Sequence, residues 1–261
     1  MLLREVKSTL ICDHEEIGRR DAACNYPMKG GIVQDWDAME QLWDYAFGSL
    51  MEIDKETAMP QLLMTQSPLE TRKQRDKIIE YMFESMNIGK IALGKASSLV
   101  LYAQGLLTGL VVECGDGVTH VEPVYEGFCP CHLIKRHPVT GRSITEYLAK
   151  LLQRRGYRYG SMSNIGTIKD VKEKLCYATS NLNVDKRLAQ ETTVLDEDHI
   201  LPDGTKIKIG HERFEATEAF FDPSLIGMDC KGIVSVHFLP ENFHFTLTIF
   251  HRYYPEFFSP I

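Results

Sequence analysis

The turn Gly115-Asp116-Gly117 lies inside VVECGDGVTHVEPVYEG, residues 111–127, between two apolar segments of period two. That pattern predicts a β-hairpin whose turn demands positive φ. Glycines let a turn backbone approach a ligand closely, and successive N–H groups there make a concave anion site suited to phosphate. Acidic side chains cannot easily touch phosphate. Glu113 and Asp116 can instead hold the water shell of a phosphate-bound Mg²⁺ or Ca²⁺. On its own the turn also reads as an ordinary Asp-Gly hairpin. Cys129-Pro130-Cys131-His132 could suggest a metal corner, but no second CxxC or HxxxH supplies the remaining ligands, so no direct metal ligand is assigned.

Other reactive-looking groups have bland alternatives. Lys172-Glu173-Lys174 reads as a solvated helix face, His120 as a packed or exposed strand histidine, and Arg142 as a surface residue before a helix start. No catalytic residue follows from these patterns.

The elements that must position these residues are mixed. WDAMEQLWDYAF, 36–47, places Trp36, Met39, Trp43 and Phe47 on one helical face, with Asp35 or Asp37 as cap and Gly48 as stop. Gln61 to Thr65 reads as a short buried strand. A charged helix from about Thr71 to Met86 turns Ile78, Ile79, Met82, Phe83 and Met86 inward, and a further helix runs from about Ala92 to Leu106. Ser143-Ile144-Thr145-Glu146 has capping-box spacing and opens a helix to about Arg155, stopped by Gly156. Another helix spans about Thr167 to Ala178, burying Ile168, Val171 and Leu175 while Lys172 and Glu173 point elsewhere. LPDGTKIKIG, 201–210, predicts an Asp-Gly turn between strands, and ERFEATEAFF a short helix. Helices between strands predict an α/β class.

The last segment differs. Phe243, Phe245, Leu247 and Ile249 alternate with polar residues as in a strand, and eight of the chain's 25 aromatic residues fall in its final 28. That composition break suggests a junction.

With 261 residues the chain can bury a substantial core. A net charge of −7, with both signs interspersed, leaves no basic field for nucleic acid. The N-terminal apolar run is too short and charged for a signal peptide, and no apolar stretch approaches the roughly 20 residues of a membrane span. A cytoplasmic protein is expected, and its seven scattered cysteines read as reduced thiols.

NYPMKGGIVQDWDAMEQLWDYAFG, LYAQGLLTGLVVECGDGVTHVEPVYEG, RRGY, VKEKLCY, QETTVL, LPDGTKIKIGHERFEATEAFF and SLIGMD together resemble the actin superfamily. YAQGLLTG, LWDYAFG and HERFEA look closer to its actin-related proteins than to conventional actin. A sugar kinase or Hsp70-like chaperone would share the hairpin but not VKEKLCY. The resemblance implies a partial actin-like, duplicated ribonuclease-H-like ATPase fold, incomplete at both ends. The implied organisation is partial subdomain 2 at 1–31, partial subdomain 1 at 32–105, the first part of subdomain 3 at 106–140, subdomain 4 at 141–220, re-entry to subdomain 3 at 221–233, and a divergent tail at 234–261. An opposing phosphate hairpin and an adenine glycine loop are then absent, and the tail is expected to patch the exposed sheet edge.

The resemblance also implies site roles. Gly115, Asp116, Gly117 and Val118 would bind ATP phosphate, Glu113 and Asp116 metal-bound water, and His120 the hydrolytic water. Gly141, Arg142, Lys169, Lys172 and Glu173 would line the adenosine pocket. The expected cofactor is ATP or ADP with Mg²⁺ or Ca²⁺, its binding impaired. Glu113 stands where the family has aspartate, moving the charge by about an ångström. Ala96 stands where it has a glutamine that orients the attacking water, so hydrolysis is expected to be weak or absent and the chain not an enzyme. The implied role is an ATP-binding structural subunit of the actin-nucleating and branching complex, templating daughter filaments on the cytoskeleton. Actin, the other subunits and nucleation-promoting factors are the implied partners. The alternative is a degenerate relative that works through protein contacts alone or not at all.

Overall fold

The structure is a computed structural model that describes residues 25–53, 59–157, 165–201, 204–235 and 247–250. The chain divides into two compact units, one of Met1–Leu62 with Arg72–Ile91 and one of Leu63–Thr71 with Ala92–Ile261. Cys12, Cys24, Asp203, Phe243 and Phe245 lie outside the described residues, as does most of the sequence expected to form partial subdomain 2 and the tail.

In the first unit, β1 (Met28–Lys29) and β2 (Ile32–Val33) pair antiparallel across Gly30-Gly31, both at positive φ of 63 and 78°, as a tight two-residue hairpin requires. Asp35 then caps α1 (Trp36–Asp44), accepting from the Ala38 amide at 3.1 Å. Gly48 does not stop this helix: the chain continues through it as a π-helical turn, Tyr45–Leu50, carrying Phe47 into the core. Met39 and Trp43 are buried, and Trp43 packs on α2 (Arg72–Glu84), where Tyr81 meets its ring at 5.2 Å between centroids and bonds Asp44 at 3.0 Å. Ile78, Met82 and Met86 are buried as expected, whereas Phe83 is exposed, because only one stripe of the helix has a partner.

β3 (Gln61–Gln66) and β4 (Lys90–Lys95) form a two-stranded sheet. β3 alternates exposed and half-buried residues and is not the buried strand its composition suggested. The expected helix from Ala92 begins only at α3 (Ala96–Ala103), since residues 92–95 complete β4.

The second unit is built on a four-stranded sheet ordered β10-β5-β6-β7, from β5 (Gly109–Cys114), β6 (Thr119–Val124), β7 (Lys135–His137) and β10 (Leu247–Phe250). β5, β6 and β7 are antiparallel neighbours, while β10 adds parallel to β5 with Leu247 beside Leu110 and Phe250 beside Glu113. The strand from the aromatic tail therefore covers the edge of β5. Leu101 of α3 packs with Val111, Val124, Cys129 and Ile134 to form one core cluster.

The larger core joins α4 (Gly141–Arg154), α5 (Ile165–Leu175), α7 (Glu212–Glu218) and the strand pair β8 (Glu197–Ile200) and β9 (Lys206–Ile209) around Leu148, Leu152, Val171, Ile207 and Ile209. Thr140, not Ser143, is the cap of α4. The Thr140 hydroxyl accepts from the Ser143 amide and the Ser143 hydroxyl from the Thr140 amide, so the helix starts three residues earlier than expected. Gly156 ends that helix region at φ 106°. The polar helix α6 (Leu182–Glu191), capped by Asn181, has no buried residue and was not expected.

Candidate functional site

The turn between β5 and β6 is closed by the Gly115 amide donating to the Val118 carbonyl at 2.7 Å, with Glu113 opposite His120 and Cys114 opposite Thr119. Neither Gly115 nor Gly117 has positive φ, contrary to the hairpin expectation. What glycine supplies here is proximity. A Cβ on Gly141 would lie 3.3 Å from both Asp116 Cα and the Gly115 oxygen, tighter than ordinary contact.

That closeness lets α4 hold the turn from outside. The Gly141 amide donates to the Gly115 carbonyl at 3.0 Å, and the Arg142 amide to the Asp116 carbonyl at 2.9 Å. Two first-turn donors that a bare helix end would leave unsatisfied are thereby used. The turn is fixed by backbone bonds, while its side chains remain at the surface.

Charge gathers on this anchored turn. Arg142 grips Asp116 through two nitrogens, at 2.8 and 3.2 Å to Oδ2, with both side chains about two-fifths exposed. Lys172 was expected to point away from the core, but it is 6% exposed and donates to the Gly141 carbonyl at 2.9 Å. Burial lowers its pKa, and the nearby charges of Asp116 and Glu173 oppose that shift. Lys169 and Glu173 face one another along α5 at 3.9 Å. Gly115, Asp116, Gly141, Arg142 and Lys172 are thus brought together, and Lys169 and Glu173 flank them.

On the face of β6 two rungs inward lies a buried polar pair. His120 is 2% exposed, and its Nε2 has no partner among the described residues. Burial and the neighbouring Arg136 both lower its pKa, favouring the neutral imidazole. Glu122 follows on the same side of the strand, 1% exposed, accepting from the Ser97 hydroxyl at 2.7 Å. Its pKa is raised, chiefly by burial, with the Glu113 charge adding and the Ser97 bond opposing. Its other oxygen has no partner among the described residues.

Sequence reasoning missed Glu122 and Ser97. A signal existed, since a glutamate at i+2 from His120 on a strand shares its face. Ser97 follows Ala96, the first residue of α3, so the position expected to lack a water-orienting side chain adjoins this pair.

Residues 3–237 match the family model for actin. The chain belongs to the actin family. It is 43% identical over 228 residues to actin-related protein 2 of Saccharomyces cerevisiae, covering 87% of this chain and 58% of the relative. Against actin-related protein 2 of Arabidopsis thaliana the identity is 43% over 238 residues, covering 91% and 61%. Against that of Caenorhabditis briggsae it is 44% over 235 residues, covering 90% and 59%. The chain therefore spans about three-fifths of the length of these relatives. The mixture of helices and sheets agrees with a partial actin-like α/β fold, and the family match ends at residue 237, before β10. No helix among the described residues is long and apolar enough to cross a membrane.

Proposed function

We propose that the chain is an actin-related protein 2-like, ATP-binding subunit of the actin-nucleating and branching complex, a structural template for daughter filaments. The observation that carries the nucleotide part is the backbone anchoring of the 115–118 turn by Gly141 and Arg142, with the buried Lys172 ammonium behind it. An anchored glycine turn with cations beside it suits a phosphate chain. The amides of Asp116, Gly117 and Val118 would take the phosphate while Gly115 closes the turn by donating to the Val118 carbonyl, and Asp116 and Glu113 would hold the water shell of Mg²⁺ or Ca²⁺. His120 carries a buried nitrogen with no partner among the described residues, which fits the placing of a water. Gly141, Arg142, Lys169, Lys172 and Glu173 would line the adenosine side. Bound ATP or ADP would supply the phosphate charge that these groups hold.

In this reading hydrolysis is weak, because Ala96 offers nothing to orient water. Actin, the other subunits of the actin-related protein 2/3 complex and nucleation-promoting factors are the partners, in the cytoplasm and on the cytoskeleton. The relatives' names support membership of that group, and co-purification with the remaining subunits tests it.

A second reading rests on Asp116. Its carboxylate is already gripped by Arg142, which favours a relative with impaired nucleotide binding that acts only through protein contacts or not at all. Titration with ATP separates the two: Mg²⁺-dependent binding at micromolar concentration supports a working cleft, and none at millimolar concentration leaves the second reading.

A further inference from the structure

Lys95, the residue preceding α3, sends its ammonium to the Cys129 carbonyl at 2.6 Å and to the Cys131 sulfur at 3.2 Å. The carbonyl bond fixes the nitrogen, so its position beside the sulfur is built in. The other described cysteines provide contrast. Cys129 and Cys176 are buried and their pKa values raised, the latter to about 12, and Cys114 is pushed up to about 11, chiefly by burial in each case. Such thiols are inert. Cys131 and Cys230 are exposed, and only Cys131 has a basic side chain in hydrogen-bond contact among the described residues.

We propose that Lys95 and Cys131 form a reversible oxidative cross-link, a sulfur–nitrogen bond made when peroxide oxidises the thiol. In the first step the Cys131 sulfur attacks a peroxide oxygen, the O–O bond breaks, and a sulfenic acid and water result; sulfur loses two electrons and peroxide gains them. In the second the Lys95 ammonium gives one proton to solvent, the freed amine attacks that sulfur, the S–N bond forms, the S–O bond breaks, and hydroxide leaves with a second amine proton as water. The pair loses two hydrogens and one equivalent of peroxide is consumed. A thiol reductant restores both residues.

The link ties the start of α3 to the 3₁₀ turn Cys131–Leu133 that leads into β7. It would clamp the helix whose Ser97 holds Glu122. The proposal stands apart from nucleotide binding and from complex membership.

Peptide mass spectrometry of the full chain after hydrogen peroxide treatment tests it. The expected product joins the Lys95 and Cys131 peptides, lacks two hydrogens, loses the tryptic cut after Lys95 and reverts with dithiothreitol. Cys131→Ser, on the surface, and Lys95→Arg, which keeps the cation but not the amine nucleophile, both lose the product. If the two-hydrogen loss persists in Lys95→Arg it is a Cys129–Cys131 disulfide, and the proposal falls. It falls equally if dimedone traps sulfenic acid at Cys131 and Cys230 alike and no joined peptide forms.

Discussion

Lys172 and Gly141 are joined by a single hydrogen bond, from a buried ammonium on α5 to the first carbonyl of α4, at 2.9 Å. The same Gly141 donates its amide to Gly115 in the phosphate turn. One glycine therefore couples two helices to the hairpin, and a side chain there would be crowded: a Cβ would meet Asp116 and Gly115 at 3.3 Å and the Lys172 nitrogen at 3.5 Å.

Gly141→Ala should cost about 1–3 kcal/mol through this crowding. Gly48→Ala is the contrast, since nothing lies within 4 Å of its added methyl and the residue sits in a helical turn, so it should be neutral or stabilise by about 0.5–1 kcal/mol. Denaturant unfolding of both variants checks this. Equal costs would remove the close-approach explanation.

Asp116→Asn should hardly change stability, because its pair with Arg142 lies at the surface, each side chain about two-fifths exposed, and contributes about 0–1 kcal/mol. If the turn binds a metal-chelated nucleotide, the same change weakens ATP binding in Mg²⁺ by about tenfold or more and leaves metal-free binding little altered. Calorimetric titration with and without Mg²⁺ is the measurement. An affinity unchanged in Mg²⁺ would deny Asp116 its metal-water role.

Glu122 gives stability a pH dependence of definite sign. Its folded carboxyl retains the proton above the ordinary value of 4.5, so the folded state binds more protons than the unfolded chain in the window above that value. The contribution is fully present below about 4.5 and is lost as pH rises through the folded value. Glu122→Gln removes it. The melting temperature of the variant should therefore gain on the parent protein from pH 4.5 towards neutrality, by about 3 °C for each kcal/mol of ionisation cost. A constant difference across that range would show that Glu122 is not held protonated.

Arg155 meets Glu212 with one nitrogen at 3.0 and 2.8 Å from its two oxygens, and Glu212 is almost wholly buried. Glu212 also accepts the Gly210 amide at 2.9 Å, which fixes the end of β9 against α7. Arg155→Leu leaves that carboxylate buried without its cation and should cost about 3–5 kcal/mol. The double change Arg155→Leu with Glu212→Gln should recover part of the loss in thermal unfolding. A cost below about 1 kcal/mol for the single change would mean that water reaches Glu212.

Local pattern made much of this legible. The 109–124 hairpin, the Asp35 cap, the buried stripe of α2 and the helix ending at Gly156 each follow from periodicity or capping chemistry within a few residues. Features decided by tertiary contact were not legible. Residues 92–95 look helical from their small and apolar side chains and are drawn into β4 by pairing with β3. Lys172 resembles a solvated lysine until α4 supplies the carbonyl that lets it be buried. At the candidate site the turn residues were found, but the Ser97–Glu122 pair was not, because it joins positions 25 apart in the sequence.

The parallel pairing of β10 with β5 has a consequence for synthesis. Leu110 must wait about 140 residues for Leu247, which at about 5–20 residues per second is about 7–30 s during which one edge of the central strand is bare on the ribosome. For that interval the nascent chain offers a ready template to any passing strand, so its yield in cells should depend on chaperone supply more than its final stability would indicate.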